Sequence, residues 1–275
     1  MDFLPGLISG LAIALTAFPL KALAKKGNTL VLGFYVEFIG LLFFLPFFNL
    51  NLIIANFSWN ALFAGLIWIF YALVFYYSYE DVDASTRIIF IGIQPVLAAL
   101  SASIFLGESF TMHLLLSLLL SVVACVVLYY STNKRIITKK GFLLAFATCI
   151  FAALGASFDK LVSGDFGIYT YMSYAYIFTC LGLALAILFS GMSFKINVKK
   201  TFWSVFLAAI GSSIVFVLLI KSYYAVGVGF TNLLILTSIP WTIMLGYFFA
   251  KEKDHLKEKI LASLIIVATV VLLSV

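Results

Sequence analysis

The chain has 275 residues, of which 64% are hydrophobic and only 10% charged. A soluble domain carries about 25% charged residues, so this composition cannot build a water-facing shell and lipid must be the solvent. The formal charge of +6 does not point to nucleic acid, because nearly all the basic residues flank apolar runs. Ten runs reach about the 20 residues that a membrane helix needs: 3–24, 28–49, 58–79, 84–106, 112–131, 141–163, 167–190, 201–222, 226–249 and 257–275. The expected fold is an all-α integral membrane protein of ten transmembrane helices. Its lipid partner is the bilayer, and the plasma (inner) membrane is the expected location.

The first span carries Pro19 and Lys21 near one end. Asp2 precedes it and Lys25 and Lys26 follow, the reverse of the charge order in a cleaved secretory signal. The second span holds Glu37, about nine residues in and so ~13 Å deep at 1.5 Å per residue. An acid at that depth is costly unless it is paired, protonated or hydrated. Lys21 and Arg87 approach from the same end and are the expected cations. The third span brings Trp68, Tyr71 and Phe75 to helical spacing. The loop after it offers Asp83 and Arg87, four apart, as a helix-end salt bridge.

The fourth span contains Gln94 and Pro95 and closes on Gly107–Glu108. Pro95 removes one backbone donor and disturbs the carbonyl of Ile91, so a broken helix is expected. The fifth span aligns Ser117, Ser121 and Ala124, small residues that let membrane helices approach closely. The polar, basic stretch Ser131–Lys140 then divides the chain into expected repeats at 1–131 and 139–275.

After that stretch the pattern restarts. Laying Gly6 on Gly141 brings Lys25 onto Lys160, and laying Pro95 on Pro240 brings Tyr79 onto Tyr224 and Thr86 onto Thr231. The seventh span is rich in tyrosine (Tyr169, Tyr171, Tyr174, Tyr176), and the eighth carries Gly211, Ser212 and Ser213. The ninth holds Thr231, Asn232, Thr237, Ser238, Pro240 and Trp241, and a second break is expected where Pro240 disturbs the carbonyl of Leu236. Five spans per repeat is an odd number, so the two copies cross the membrane in opposite senses. Such inverted repeats, each with an interrupted helix, are a plan for alternating access.

Of the 17 Lys and Arg residues, all but Lys160 and Lys221 lie in or beside the odd-numbered connections. The excess of Lys and Arg marks the cytoplasmic side, which places both termini outside. Cys125, Cys149 and Cys180 sit singly in apolar runs and read as small buried hydrophobes. Glu108, Glu252, His113 and His255 fall at loop edges. No zinc spacing, phosphate loop or nucleophile–base arrangement is visible, so no cofactor, metal or enzymatic activity is expected.

The duplicated order resembles the EamA-like branch of the drug/metabolite transporter superfamily. The matching features are five spans per half, a mid-span proline, a Gly-Glu or Lys-Glu pair closing that span, and a plain last span. The second copy departs at Ala250–Lys251–Glu252, where the acid is displaced by one residue. The resemblance implies secondary transport, in the export direction, of a small organic metabolite such as an amino acid. It also implies termini inside, opposite to the charge count, and the two assignments reverse the direction of transport.

The candidate substrate-binding or coupling residues are Glu37, Trp68, Tyr71, Arg87, Gln94, Pro95, Asn232, Pro240 and Trp241. Glu37 can exchange a coupling proton, meet an ammonium group, or form a structural ion pair. Gln94 and Asn232 can tie helices together or bond a solute, and the prolines can be placed breaks or tolerated kinks. The aromatic residues can pack, or line a cavity for a solute with apolar parts or a cation. A homodimer remains open, as does a membrane-embedded enzyme or lipid-handling protein acting on a headgroup.

Overall fold

The computed structural model describes residues 2–24, 28–81, 84–131, 139–249 and 256–274. The first half comprises α1 (Leu4–Ala24), α2 (Thr29–Phe44), a 3-10 turn (Leu45–Phe47), α3 (Leu50–Ala55), α4 (Trp59–Asp81), α5 (Ala84–Leu106) and α6 (Met112–Ser131). The second comprises α7 (Lys139–Phe166), α8 (Ile168–Phe189), α9 (Val198–Val226), α10 (Val228–Ile235), α11 (Ser238–Phe249) and α12 (Leu256–Ser274). Among the described residues six segments are long and apolar enough to span a bilayer: 29–47, 59–78, 139–166, 168–189, 199–226 and 228–245. Shorter apolar helices at 4–17, 92–106, 112–127 and 260–272 stand beside them.

Polar residues set the helix starts. Asn28 accepts from Leu30 N and Val31 N, Asn49 from Leu52 N, Thr111 from Leu114 N, and Asn197 from Lys200 N. Each satisfies amide groups that the first helical turn leaves without partners. Single glycines with positive φ, Gly167 (73°) and Gly227 (94°), separate α7 from α8 and α9 from α10. Such joints turn the chain within one residue, which a Cβ would resist.

The sequence predicts a break at both prolines, and the structure has one. Helix α5 runs unbroken through Pro95. One missing donor frees one carbonyl, and the bonds on either side hold the helix together. The ninth span does divide, between α10 and α11, at Leu236–Thr237. There the amides of Leu236, Thr237 and Ile239 each reach back only three residues, to Leu233, Leu234 and Leu236. The Thr237 hydroxyl also bonds Leu234 O at 2.7 Å. Pro240 falls in the first turn of α11, where its missing donor costs nothing. The short helix α3 was not foreseen; it follows the end of the second span.

The helices pair in a pattern that survives exchange of the halves. Contact of α1 with α9 is matched by α7 with α4, α1 with α10 and α11 by α7 with α5, and α2 with α9 by α8 with α4. The pairs α2–α8, α5–α10 and α6–α12 map onto themselves. Small residues fill these contacts: Ala61, Ala64, Ala98, Ala102, Ala153 and Ala156 are buried together. Large apolar residues face outward, with Phe189, Ile104 and Trp59 among the most exposed. Small residues at helix contacts, here packed beside buried aromatics such as Phe166 and Tyr171, let membrane helices approach closely. The stripe on α6 divides its contacts, with Ser117 bonding Thr269 O on α12 and Ser121 reaching Gly92 O on α5.

Candidate functional site

Asp159, on α7, is 2% exposed. Its Oδ1 accepts from Trp68 Nε1 on α4 at 2.8 Å and from the Tyr171 hydroxyl on α8. Trp68 Nε1 also lies 3.2 Å from Tyr171 Oη. Both donors reach the same carboxylate oxygen. Oδ2 accepts from none of the described residues, and no described Lys, Arg or His pairs with the acid. Further aromatic rings flank its two donors. Tyr71 meets Trp68 edge-on at 5.1 Å between ring centroids, and Phe216 of α9 lies 5.0 Å from Trp68 and 6.4 Å from Tyr171. Trp68 comes from the first half and Asp159, Tyr171 and Phe216 from the second, so the cluster spans the seam.

Sequence reasoning singled out Trp68 and Tyr71 but missed their carboxylate. The signal was weak. Asp159 lies inside the predicted 141–163 span, seven residues before the end of α7 at Phe166 and so ~10 Å along the helix. In the predicted span it stands only four residues from the end, ~6 Å deep at 1.5 Å per residue, and the depth argument that selects Glu37 did not single it out; the deeper placement comes from α7 running on to Phe166.

Glu37, on α2, accepts from the Tyr76 hydroxyl of α4 at 2.8 Å. The side chains of Lys21 and Arg87, its expected cations, lie outside the described residues, as do Asp83, Glu252 and His255. Gln94 and Asn232 come together: Gln94 Nε2 donates to Asn232 Oδ1 at 3.1 Å, and Asn232 Nδ2 donates to Val228 O at 3.0 Å. That pair ties α5 to α10 where the two proline-bearing spans cross. Pro95 is buried in the middle of α5. Trp241, 36% exposed on α11, makes no ring contact with the Asp159 cluster among the described residues.

A second polar group closes one end of the bundle. Glu108 follows Gly107, whose φ of 68° turns the chain out of α5. Its Oε1 accepts from Lys160 Nζ at 2.8 Å. Both carboxylate oxygens lie 3.0 Å from Val228 N, and Oε2 lies 3.4 Å from Gly229 N. The acid therefore caps α10, where free amides and the helix dipole favour negative charge, and holds α7 through Lys160. All its partners belong to the other half. At the same end Thr170 bonds Phe47 O and Ser173 bonds Phe44 O, joining α8 to the end of α2.

At the opposite end a cavity of about 560 Å³ opens between the start of α2 and the start of α9. Asn28, Ser193, Lys195, Asn197, Lys200 and Thr201 supply its polar lining. None of the Asp159 cluster lines it. The cluster is the stronger candidate site, because it joins a buried acid, two donors and an aromatic wall across the seam. Among the described residues no three His, Cys, Asp or Glu side chains are grouped to hold a metal ion.

The pattern of the EamA-like transporter family matches the sequence twice, over residues 3–130 and 139–274. No curated protein matches it significantly. A solved structure, described only as the crystal structure of a protein, superposes with a TM-score of 0.74 at 15% identity. The superposition covers 98% of this chain and 94% of that one. At that identity the likeness speaks for the fold alone.

Proposed function

Because the chain belongs to the EamA-like transporter family, we propose that it is a secondary exporter of a small organic metabolite, amino acids and related compounds first. Membership makes it a multi-pass membrane transporter of the drug/metabolite type; substrate, direction and cycle are the proposal. The cycle is alternating access between two inverted five-helix halves in the plasma membrane. The observation that carries the reading is the Asp159 cluster, built from both halves at a seam whose helix pairs survive exchange of the halves. The Glu108–Lys160 clasp closes one end of that seam, and the polar cavity near Lys195 and Lys200 marks the other.

Glu37 is the proposed coupling acid, with a proton as the coupling ion. It sits on a different helix from Asp159 and has Tyr76 as a neutral donor. Glu37→Gln keeps the shape and removes the charge. Uptake driven by a pH gradient should be lost while the melting temperature holds. Normal coupled uptake at normal stability would remove Glu37 from the cycle.

The decisive test of the function is solute flux in proteoliposomes across a panel of amino acids and small metabolites. Saturable flux that needs the protein supports the transporter. Turnover of lipid headgroups without flux would replace this reading with an interfacial enzyme.

A further inference from the structure

We propose that the transported solute carries a protonated amine, and that Asp159 is its counter-ion within a wall formed by Trp68, Tyr71, Tyr171 and Phe216. The inference rests on the transporter reading for its word "transported", but the binding site stands on geometry alone. The observation is the uneven use of the carboxylate. Trp68 and Tyr171 both bond Oδ1, while Oδ2 accepts from none of the described residues. The side chain is 2% exposed, so bulk water does not serve that oxygen. A buried acid is stable when paired with a cation or bonded through its remaining lone pairs. The described protein supplies two neutral donors and no cation.

A partner that keeps this carboxylate charged brings both a positive charge and a hydrogen-bond donor. An ammonium group has both. Its remaining surface would meet ring faces, which attract cations through their quadrupole. The surroundings also define the rest of the solute. The Trp68 ring lies 5.1 Å from Tyr71 and 5.0 Å from Phe216 by centroid, and this wall suits an apolar or aromatic body. An anionic solute would place its charge against Asp159, and like charges at such a site repel strongly. A neutral alcohol could bond Oδ2 but would leave the charge uncompensated. The order of preference is ammonium, then alcohol, then carboxylate.

The test uses the full chain in nanodiscs, with Trp59, Trp203 and Trp241 replaced by Phe so that Trp68 alone reports. Three probes share one body: phenethylammonium, 2-phenylethanol and 3-phenylpropanoate. Phenethylammonium should change Trp68 fluorescence saturably and bind about tenfold or more tightly than the alcohol, with the carboxylate weakest. Asp159→Asn should erase that preference. Equal binding of the three probes, tighter binding of the carboxylate, or no saturable response to phenethylammonium overturns the proposal, even if Asp159→Asn fails to fold. A preference that persists in folded Asp159→Asn overturns it too. Flux of the same probes separates this result from the transporter reading. A selective ammonium site without flux of phenethylammonium overturns the amine as transported solute and leaves the site; flux of the alcohol with no ammonium preference overturns the site and leaves the transporter.

Discussion

Asp159 gives up water on every side and recovers two hydrogen bonds on one oxygen. Trp68→Phe removes one of them and Tyr171→Phe the other, each at a cost of about 1–3 kcal/mol for a buried polar atom left short of donors. Because both serve Oδ1, the double variant should depart from the sum of the singles. Melting temperatures of the three proteins measure this, and strict additivity would mean that the two bonds act independently. Gly227 offers a cleaner comparison. Its φ of 94° strains any side chain, and an added Cβ would also lie 3.0 Å from Glu108 Oε2. Gly107 has a φ of 68° and open space around it. Gly107→Ala should therefore cost only the backbone strain, about 1–2 kcal/mol, while Gly227→Ala costs more because it also displaces the clasp. Equal losses of melting temperature would show that Glu108 moves aside freely. Of these residues the sequence made Trp68, Tyr71 and Glu37 legible through spacing and depth. It placed Asp159 close to the end of a predicted span, and it hid the role of Glu108, which caps backbone amides 120 and 121 residues away in the chain.

The two proline-bearing spans behave differently because the prolines stand at different places in their helices. Pro95 lies inside α5 and removes a bond that Pro95→Ala can restore. Pro240 lies in the first turn of α11 and removes none. Pro95→Ala is expected to lower flux more than folded yield, while Pro240→Ala should leave both nearly unchanged. Equal effects on flux would return the two prolines to equivalence. What holds the ninth span apart is the Leu236–Thr237 turn and the glycine opposite it. A Cβ on Gly10 would collide with Thr237 Oγ1 and sit 3.1 Å from Ser238 N. Gly10→Ala should push α1 off the break and cost about 1–3 kcal/mol, as overpacking in a close contact does. An unchanged melting temperature would show that α1 can slide. The existence and order of the apolar helices could be read from hydropathy and repeat. The position of the break could not, since proline marks where a bond is missing rather than where neighbouring helices let the chain turn.

At the scale of the molecule, two halves meet along a seam closed at one end by Glu108, Lys160 and the start of α10. In Glu108→Gln the ion pair is lost and the amide oxygen can still cap Val228, so the half-buried clasp should weaken by about 1 kcal/mol. Spin labels at Phe110 and Asp165, both exposed beside the clasp, should report longer distances in the variant. An unchanged distance distribution would leave the clasp as a static brace. The duplicated order made the two halves legible in the sequence. Their pairing across the seam was not, because it depends on which small residues meet, as Gly40 meets the Tyr176 ring and Gly65 the Phe178 ring.

Asp159 and Lys160 are consecutive, yet one enters the aromatic cluster and the other the clasp. Successive residues of a helix differ by about 100° around its axis, so α7 presents the two groups to different neighbours at one level. The solute and the clasp therefore act on the same short piece of one helix, with no relay between them. Linkage makes the consequence reciprocal: whatever factor the solute applies to closure of the clasp, closure applies to the affinity for solute. Measuring phenethylammonium affinity in Glu108→Gln thus reads the coupling from the far side. A change in affinity gives its size and sign, and an identical affinity would mean that one peptide bond insulates the two.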